Sequence, residues 1–128
     1  MEDYTKKKLL SDIVSGNKFN IENFVSEVQG FSLGLRLRHW ETKSYALHKA
    51  VEMTQEALDG LLDDFVEAFT GMSGGSRPKF TEKIKSNTDD GSFIKCLREL
   101  AIKDTCLLNI RDEMLQCIYK LQYLESLS

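Results

Sequence analysis

A single proline, Pro78, interrupts 128 residues, and on both sides of it the apolar residues recur at three- and four-residue intervals without strand-like alternation. Proline breaks helices and alternation marks strands, so a chain poor in both reads as helical nearly throughout. The fold class is all-α. At 41% hydrophobic residues the chain can bury one core and has little room for a second, which makes residues 1–128 one domain.

Residues 1–18 read as an N-terminal helix or arm, helical from about Asp3 to Ser15 on Leu9, Leu10, Ile13 and Val14, with Gly16 as the stop. Asn20 can cap a second helix that reaches about Trp40 on Ile21, Phe24, Val28, Phe31 and Leu35. At 100° per residue, Leu33, Leu37 and Trp40 fall on the opposite side of it. A helix with two apolar faces needs a second cover, either a partner subunit or the first helix. The next helix, from about Ser44 to Phe69, carries Leu47, Ala50, Val51, Thr54, Leu58, Leu61, Leu62, Phe65 and Phe69 as a core stripe. Glu52, Glu56, Asp59, Asp63 and Glu67 lie on its other side, within about 100° of arc.

Residues 71–91 are rich in Gly, Ser, Lys and Asp and form a crossover connection, with Phe80 and Ile84 suggesting one turn of helix. Helix returns on Phe93, Ile94, Leu97 and Leu100, breaks at Asp104-Thr105, and continues on Leu107, Ile110, Met114, Ile118, Leu121 and Leu124. The architecture that follows is a four-helix bundle with one long crossover and a short extra N-terminal helix.

A formal charge of −3 disfavours a surface built to grip nucleic acid. The basic run Lys6, Lys7, Lys8 stands beside Glu2 and Asp3, so DNA binding is expected to be absent or weak. Cys96, Cys106 and Cys117 are odd in number and lack paired spacing, which disfavours a disulfide framework and a thiolate zinc site. Cys106 and Cys117 read as buried small hydrophobes in line with Ile110, Met114 and Leu121. No apolar stretch approaches the roughly 20 residues that span a bilayer, and no signal-peptide core begins the chain. The expectation is a soluble cytoplasmic protein with no membrane partner.

Four metal-competent side chains gather around the central hairpin: His39, His48, Asp63 and Glu67. Imidazole with carboxylate suits Fe(II), Zn(II) or Mn(II), and carboxylates can bridge two ions. Taken singly, a histidine at the edge of an apolar face is ordinarily a structural residue, and an acidic stripe is ordinarily solvated. Asp63 and Glu67 are helical neighbours. His48 and Asp63 are 63 − 48 = 15 positions apart on one helix, roughly 22 Å along its axis. One metal cannot use both within a chain, so a shared site requires a second, antiparallel copy.

The run His39-Trp40, Leu47-His48, Asp63-x-x-x-Glu67 resembles the ferroxidase signature of the Dps mini-ferritins. The likeness covers roughly residues 20–71 and, more weakly, Asp104-Thr105 and the final helix. The stretch from Leu37 through Arg38-His39-Trp40 to His48 is also similar to an uncharacterised Dps-like branch from phages and large DNA viruses, which would place the protein in host cytoplasm or a virion. The spacing from His39 to His48 is a few residues shorter than in bacterial Dps proteins. The resemblance implies a ferritin-like fold and iron, Fe2+/Fe3+, held at His39 and His48 of one chain with Asp63 and Glu67 of its mate. It also implies Fe(II) oxidation for storage or protection, and a homo-oligomer of two-fold dimers with a dodecameric shell as one outcome. Glu52, Glu56 and Asp59 would be secondary or access-route carboxylates. A non-catalytic oligomeric or virion module on the Leu33, Leu37 and Trp40 face is the alternative. A Mg²⁺-dependent nucleotide pyrophosphohydrolase would need acidic pairs on two facing helices, and outside the acidic helix the acids are scattered.

Overall fold

The computed structural model describes residues 8–16, 19–75, 77–80 and 83–127. These hold five helices and no strand: α1 (Leu10–Ile13), α2 (Ile21–Glu41), α3 (Tyr45–Met72), α4 (Asp90–Arg98) and α5 (Thr105–Ser126). The protein is all-α.

Each long helix begins where a short polar side chain satisfies an orphan amide. Asn20 accepts from Asn23 N at 2.9 Å, Ser44 from Leu47 N at 3.2 Å, and Asp89 from Ser92 N at 3.3 Å. Asp104 accepts from both Cys106 N and Leu107 N, at 2.9 and 3.3 Å. The three residues 42–44 that join α2 to α3 are too few for anything but an antiparallel hairpin.

Contacts at the ends set the helix directions. Arg38, late in α2, reaches Asp90 at the start of α4 and Glu125 at the end of α5. Lys8 bonds through its amide to Met72 O at the end of α3, and through its ammonium to Asp104 at the start of α5. With α2 taken as up, α3 runs down, α4 down and α5 up. The connection between α3 and α4 must therefore climb the length of the bundle.

It climbs along α2. Asn87 N donates to Gly30 O at 2.9 Å, and the crossover backbone lies so close that a Cβ on Gly30 would meet Lys85 O at 2.3 Å and one on Gly34 would meet Asn87 O at 2.0 Å. Only glycine leaves room there. The crossover has no regular secondary structure at Phe80 and Ile84, both exposed, and forms no helical turn among its described residues. Its register is set by the backbone fit to α2, not by side-chain periodicity.

The core lies between α2, α3 and α5. Ile21, Phe24, Val28, Phe31 and Leu35 are buried as the spacing predicts, against Ala50, Val51, Leu58, Leu62, Phe65 and Phe69 of α3. Phe24 and Phe65 meet at 4.5 Å, and Phe31 stacks on Phe93 at 4.2 Å and 8°. Each such ring contributes about 1.5–3 kcal/mol by leaving water. At nine residues, α4 covers roughly 13 Å, whereas α3 extends roughly 42 Å. Only one end of the bundle therefore has a fourth helix.

Two further expectations need correction. The N-terminal helix, expected over residues 3–15, is a single turn in the described part, with Leu9 and Leu10 exposed and Ile13 and Val14 buried; its expected start, and the Lys6-Lys7 run, lie outside the described residues. Backbone bonds from Lys103 N to Ile13 O and from Ser15 N to Ala101 O, both 2.9 Å, tie it to the α4–α5 corner. Cys106 is exposed and Cys117 half-buried. The buried stripe of α5 centres on Leu107, Met114, Ile118 and Leu121, and both cysteines sit about 80–100° round from Leu107.

Candidate metal centre

The tight α2–α3 turn brings His39, in the last turn of α2, onto His48, in the first turn of α3. Their rings stack with centroids 3.6 Å apart and 22° between planes. His39 Nδ1 bonds His48 O at 3.0 Å, and His48 Nδ1 bonds His39 O at 2.7 Å. A carbonyl can only accept, so both Nδ1 atoms carry hydrogen and each neutral ring keeps its lone pair on Nε2. Carbonyls in the last turn of a helix lack a helical partner, and His48 supplies one for His39 O. The arrangement is the one metal sites favour, with one ring nitrogen anchored and the other free to coordinate.

Glu52 follows one turn after His48, and one ligand atom from each of His39, His48 and Glu52 lies within 4.8 Å of the others. All three are half-buried. Lys49 Nζ bonds the Glu52 carboxylate at 3.3 Å, which raises the lysine's pKa above its ordinary value. Two imidazoles and one carboxylate form a donor set suited to a borderline divalent ion, and these residues could hold one. Tyr45 lies beside the stack, its ring 6.2 Å from that of His48.

Asp63 and Glu67 stand elsewhere. They lie further down the unbroken helix α3, exposed, and cannot reach the histidines of their own chain. They do reach each other: the Asp63 charge, then a hydrogen bond that the protonated Glu67 carboxyl donates to that side chain, pushes the Glu67 carboxyl above its usual range. Asp59 is a structural acceptor, taking a 2.7 Å bond from Ser32 Oγ, while Gln55 Nε2 donates to Ser32 O at 3.1 Å. Those two bonds lock α2 to α3 below the histidines. Glu56 is exposed along the groove between α3 and α5.

Trp40 is 64% exposed and Leu33 38%, with Leu37 half-buried beside them. The second apolar face of α2 is thus left open by the described residues, since α1 packs at the other end. Arg36 lies over the Trp40 ring at 5.7 Å.

Two features escape a reading by residue type. Glu52, expected only as a secondary or access-route carboxylate, is the one that meets the histidines, and its i+4 spacing from His48 was the available signal for that closer role. Arg38 packs over the Phe31 ring at 5.7 Å and pairs with Asp90 and with Glu125, the latter at 3.5 Å, fixing the end of α2 that carries His39. Seven residues after Phe31, it is a charge on a core-facing position. Burial first, then the Asp90 charge, raises the Glu125 carboxyl, and Arg38 opposes both.

No helix among the described residues is long and apolar enough to cross a membrane. No curated protein and no solved structure matches the chain. A family of unknown function (DUF5856) matches residues 39–124, a stretch that opens on His39 and contains His48, Glu52, Asp63 and Glu67. The histidine pair and the acidic face of α3 thus fall inside the matched region, and the chain belongs to DUF5856.

Proposed function

We propose that the protein is a ferritin-like, Dps-like iron-binding protein that takes Fe(II) as substrate and oxidises it with peroxide or dioxygen at a site completed by a second copy. The observation that carries the reading is the reciprocal His39–His48 pair with Glu52 beside it. Helices running up, down, down and up with one lengthwise connection match the order of ferritin-like folds. The open face of Leu33, Leu37 and Trp40 supports a two-fold partner, and Asp63 with Glu67 offers that partner's site two paired carboxylates.

An imidazole holds an ion in the plane of its ring. Two planes 22° apart with centroids at 3.6 Å suit two ions side by side better than one gripped between them, and paired ions in such sites stand about 3.5–4 Å apart. Glu52 and the mate's carboxylates would bridge and neutralise them. The anchored Nδ1 atoms fix the rings, so little reorganisation is needed when iron arrives.

The test is anaerobic Fe(II) titration followed by a stoichiometric addition of peroxide, read as Fe(III) absorbance. Saturable binding and rapid oxidation in the wild type, both lost in His39→Ala, are expected. Oxidation no faster than in protein-free buffer overturns the catalytic reading. The same open α2 face favours a second reading, a non-catalytic assembly module, which predicts an assembled protein free of iron after expression in iron-rich medium.

A further inference from the structure

Within the crossover, residues 77–85 carry Arg77, Lys79, Lys83 and Lys85 against one acid, Glu82, and the apolar Phe80 and Ile84 among them are 52% and 49% exposed. Apolar side chains held out between lysines on a connection that is itself anchored are a surface without a cover. Across the molecule, α3 and α5 flank an open groove of about 520 Å³. Its floor is apolar, from Ala57, Leu61 and Cys117, and Asp63 lines it too; its rim carries Glu56, Asp64 and Glu113. Among the described residues, neither these three acids nor Lys79, Lys83 and Lys85 close an ion pair.

The two surfaces cannot meet within one chain. The crossover lies on the Gly30 and Gly34 side of α2, whereas α3 is bonded to Ser32, which points about 160–200° away from those glycines. Like charges along each surface repel, and opposite charges across two copies attract.

We propose that the crossover of one copy docks in the α3–α5 groove of a second copy, with Phe80 and Ile84 over the apolar floor and Lys79, Lys83 and Lys85 against the rim carboxylates. The contact is head-to-tail, since each chain offers one crossover and one groove, and such contacts close into rings or extend as filaments. It leaves the Leu33, Leu37 and Trp40 face free and does not depend on metal.

Sedimentation velocity of the full chain at micromolar concentration tests it, with Fe(II) or Zn(II) binding measured alongside. Association beyond a dimer should weaken about tenfold or more between about 50 and about 500 mM NaCl, because exposed charge pairs are screened over that range. Reversing the crossover (Lys79→Glu, Lys83→Glu, Lys85→Glu) should abolish that association and leave metal binding unchanged, and reversing the groove rim (Glu56→Lys, Asp64→Lys, Glu113→Lys) should abolish the association as well. Mixing the two variants should restore it, because every crossover then finds a groove of opposite charge. Wild-type protein that never exceeds a dimer, salt-insensitive association, or a mixture as dispersed as its parts overturns the proposal. So does a wild type that binds duplex DNA or anionic vesicles at low salt and does not associate with itself. Metal binding reports separately on the iron reading, so either can fail alone.

Discussion

His39 and His48 each hold the other's backbone, so replacing one unpins both ends of the hairpin turn as well as removing a ligand. His48→Ala should abolish tight Fe(II) binding and also lower stability by about 1–2 kcal/mol, through the bond lost from each side. Glu52→Gln separates the two effects, because the amide keeps the shape and loses the charge. Calorimetric titration should show metal affinity falling at least tenfold in Glu52→Gln with an unchanged melting temperature; a parallel loss of stability would make Glu52 structural. Glycine gives a second contrast at this scale. A Cβ on Gly34 would sit 2.0 Å from Asn87 O, and one on Gly60 meets nothing within 4 Å. Gly34→Ala should therefore destabilise by about 1–3 kcal/mol as the crossover is pushed off α2, whereas Gly60→Ala should stabilise by about 0.5–1 kcal/mol through helix propensity. Urea denaturation distinguishes the signs.

Among the elements, α3 acts as a ruler. Its 28 residues keep Asp63 roughly 22 Å from His48, so the histidines can share iron with Asp63 and Glu67 only across two chains. A dimer of one Asp63→Asn chain with one His39→Ala chain would put both lesions in one site and none in the other. Mixed variants should recover about one working site per dimer once subunit exchange is confirmed, and a mixture as inactive as its parents would make the site intra-chain. At the start of α5, burial alone would raise the Asp104 carboxyl, but the Lys8 ammonium and the Leu107 and Cys106 amides outweigh it and hold its pKa below the ordinary aspartate value. A depressed folded pKa gives stability that is complete above the ordinary carboxyl range and lost as pH falls through the folded value. Thermal melts of Asp104→Asn should thus be lower than wild type at neutral pH and converge with it in acid. The apolar stripes of α2, α3 and the core of α5 could be read from spacing alone, because burial of Phe31 or Leu58 imposes the helical period directly. The path of the crossover could not: Gly30 and Gly34 are signals only once a backbone is known to lie on them. The metal residues were legible by type, while the meeting of His39, His48 and Glu52 depended on the turn between the helices.

At the scale of the whole molecule, charge is sorted onto separate surfaces, with lysines along the crossover and carboxylates along α3 and its groove. A net −3 conceals that separation, so the net value says more about solubility than about association. The lengthwise crossover also has a kinetic meaning. Asn87 and Gly30 are joined by a backbone bond although 57 positions separate them in the chain (87 − 30 = 57), and Ile13 is joined to Lys103 across a longer interval still. The α2–α3 hairpin closes through a three-residue turn and can form early, whereas these long loops must lose their entropy before their contacts repay it. Amide exchange should accordingly find the Asn87 N–H protected despite its place in an irregular segment, and pulse labelling during refolding should find it among the last amides to become so.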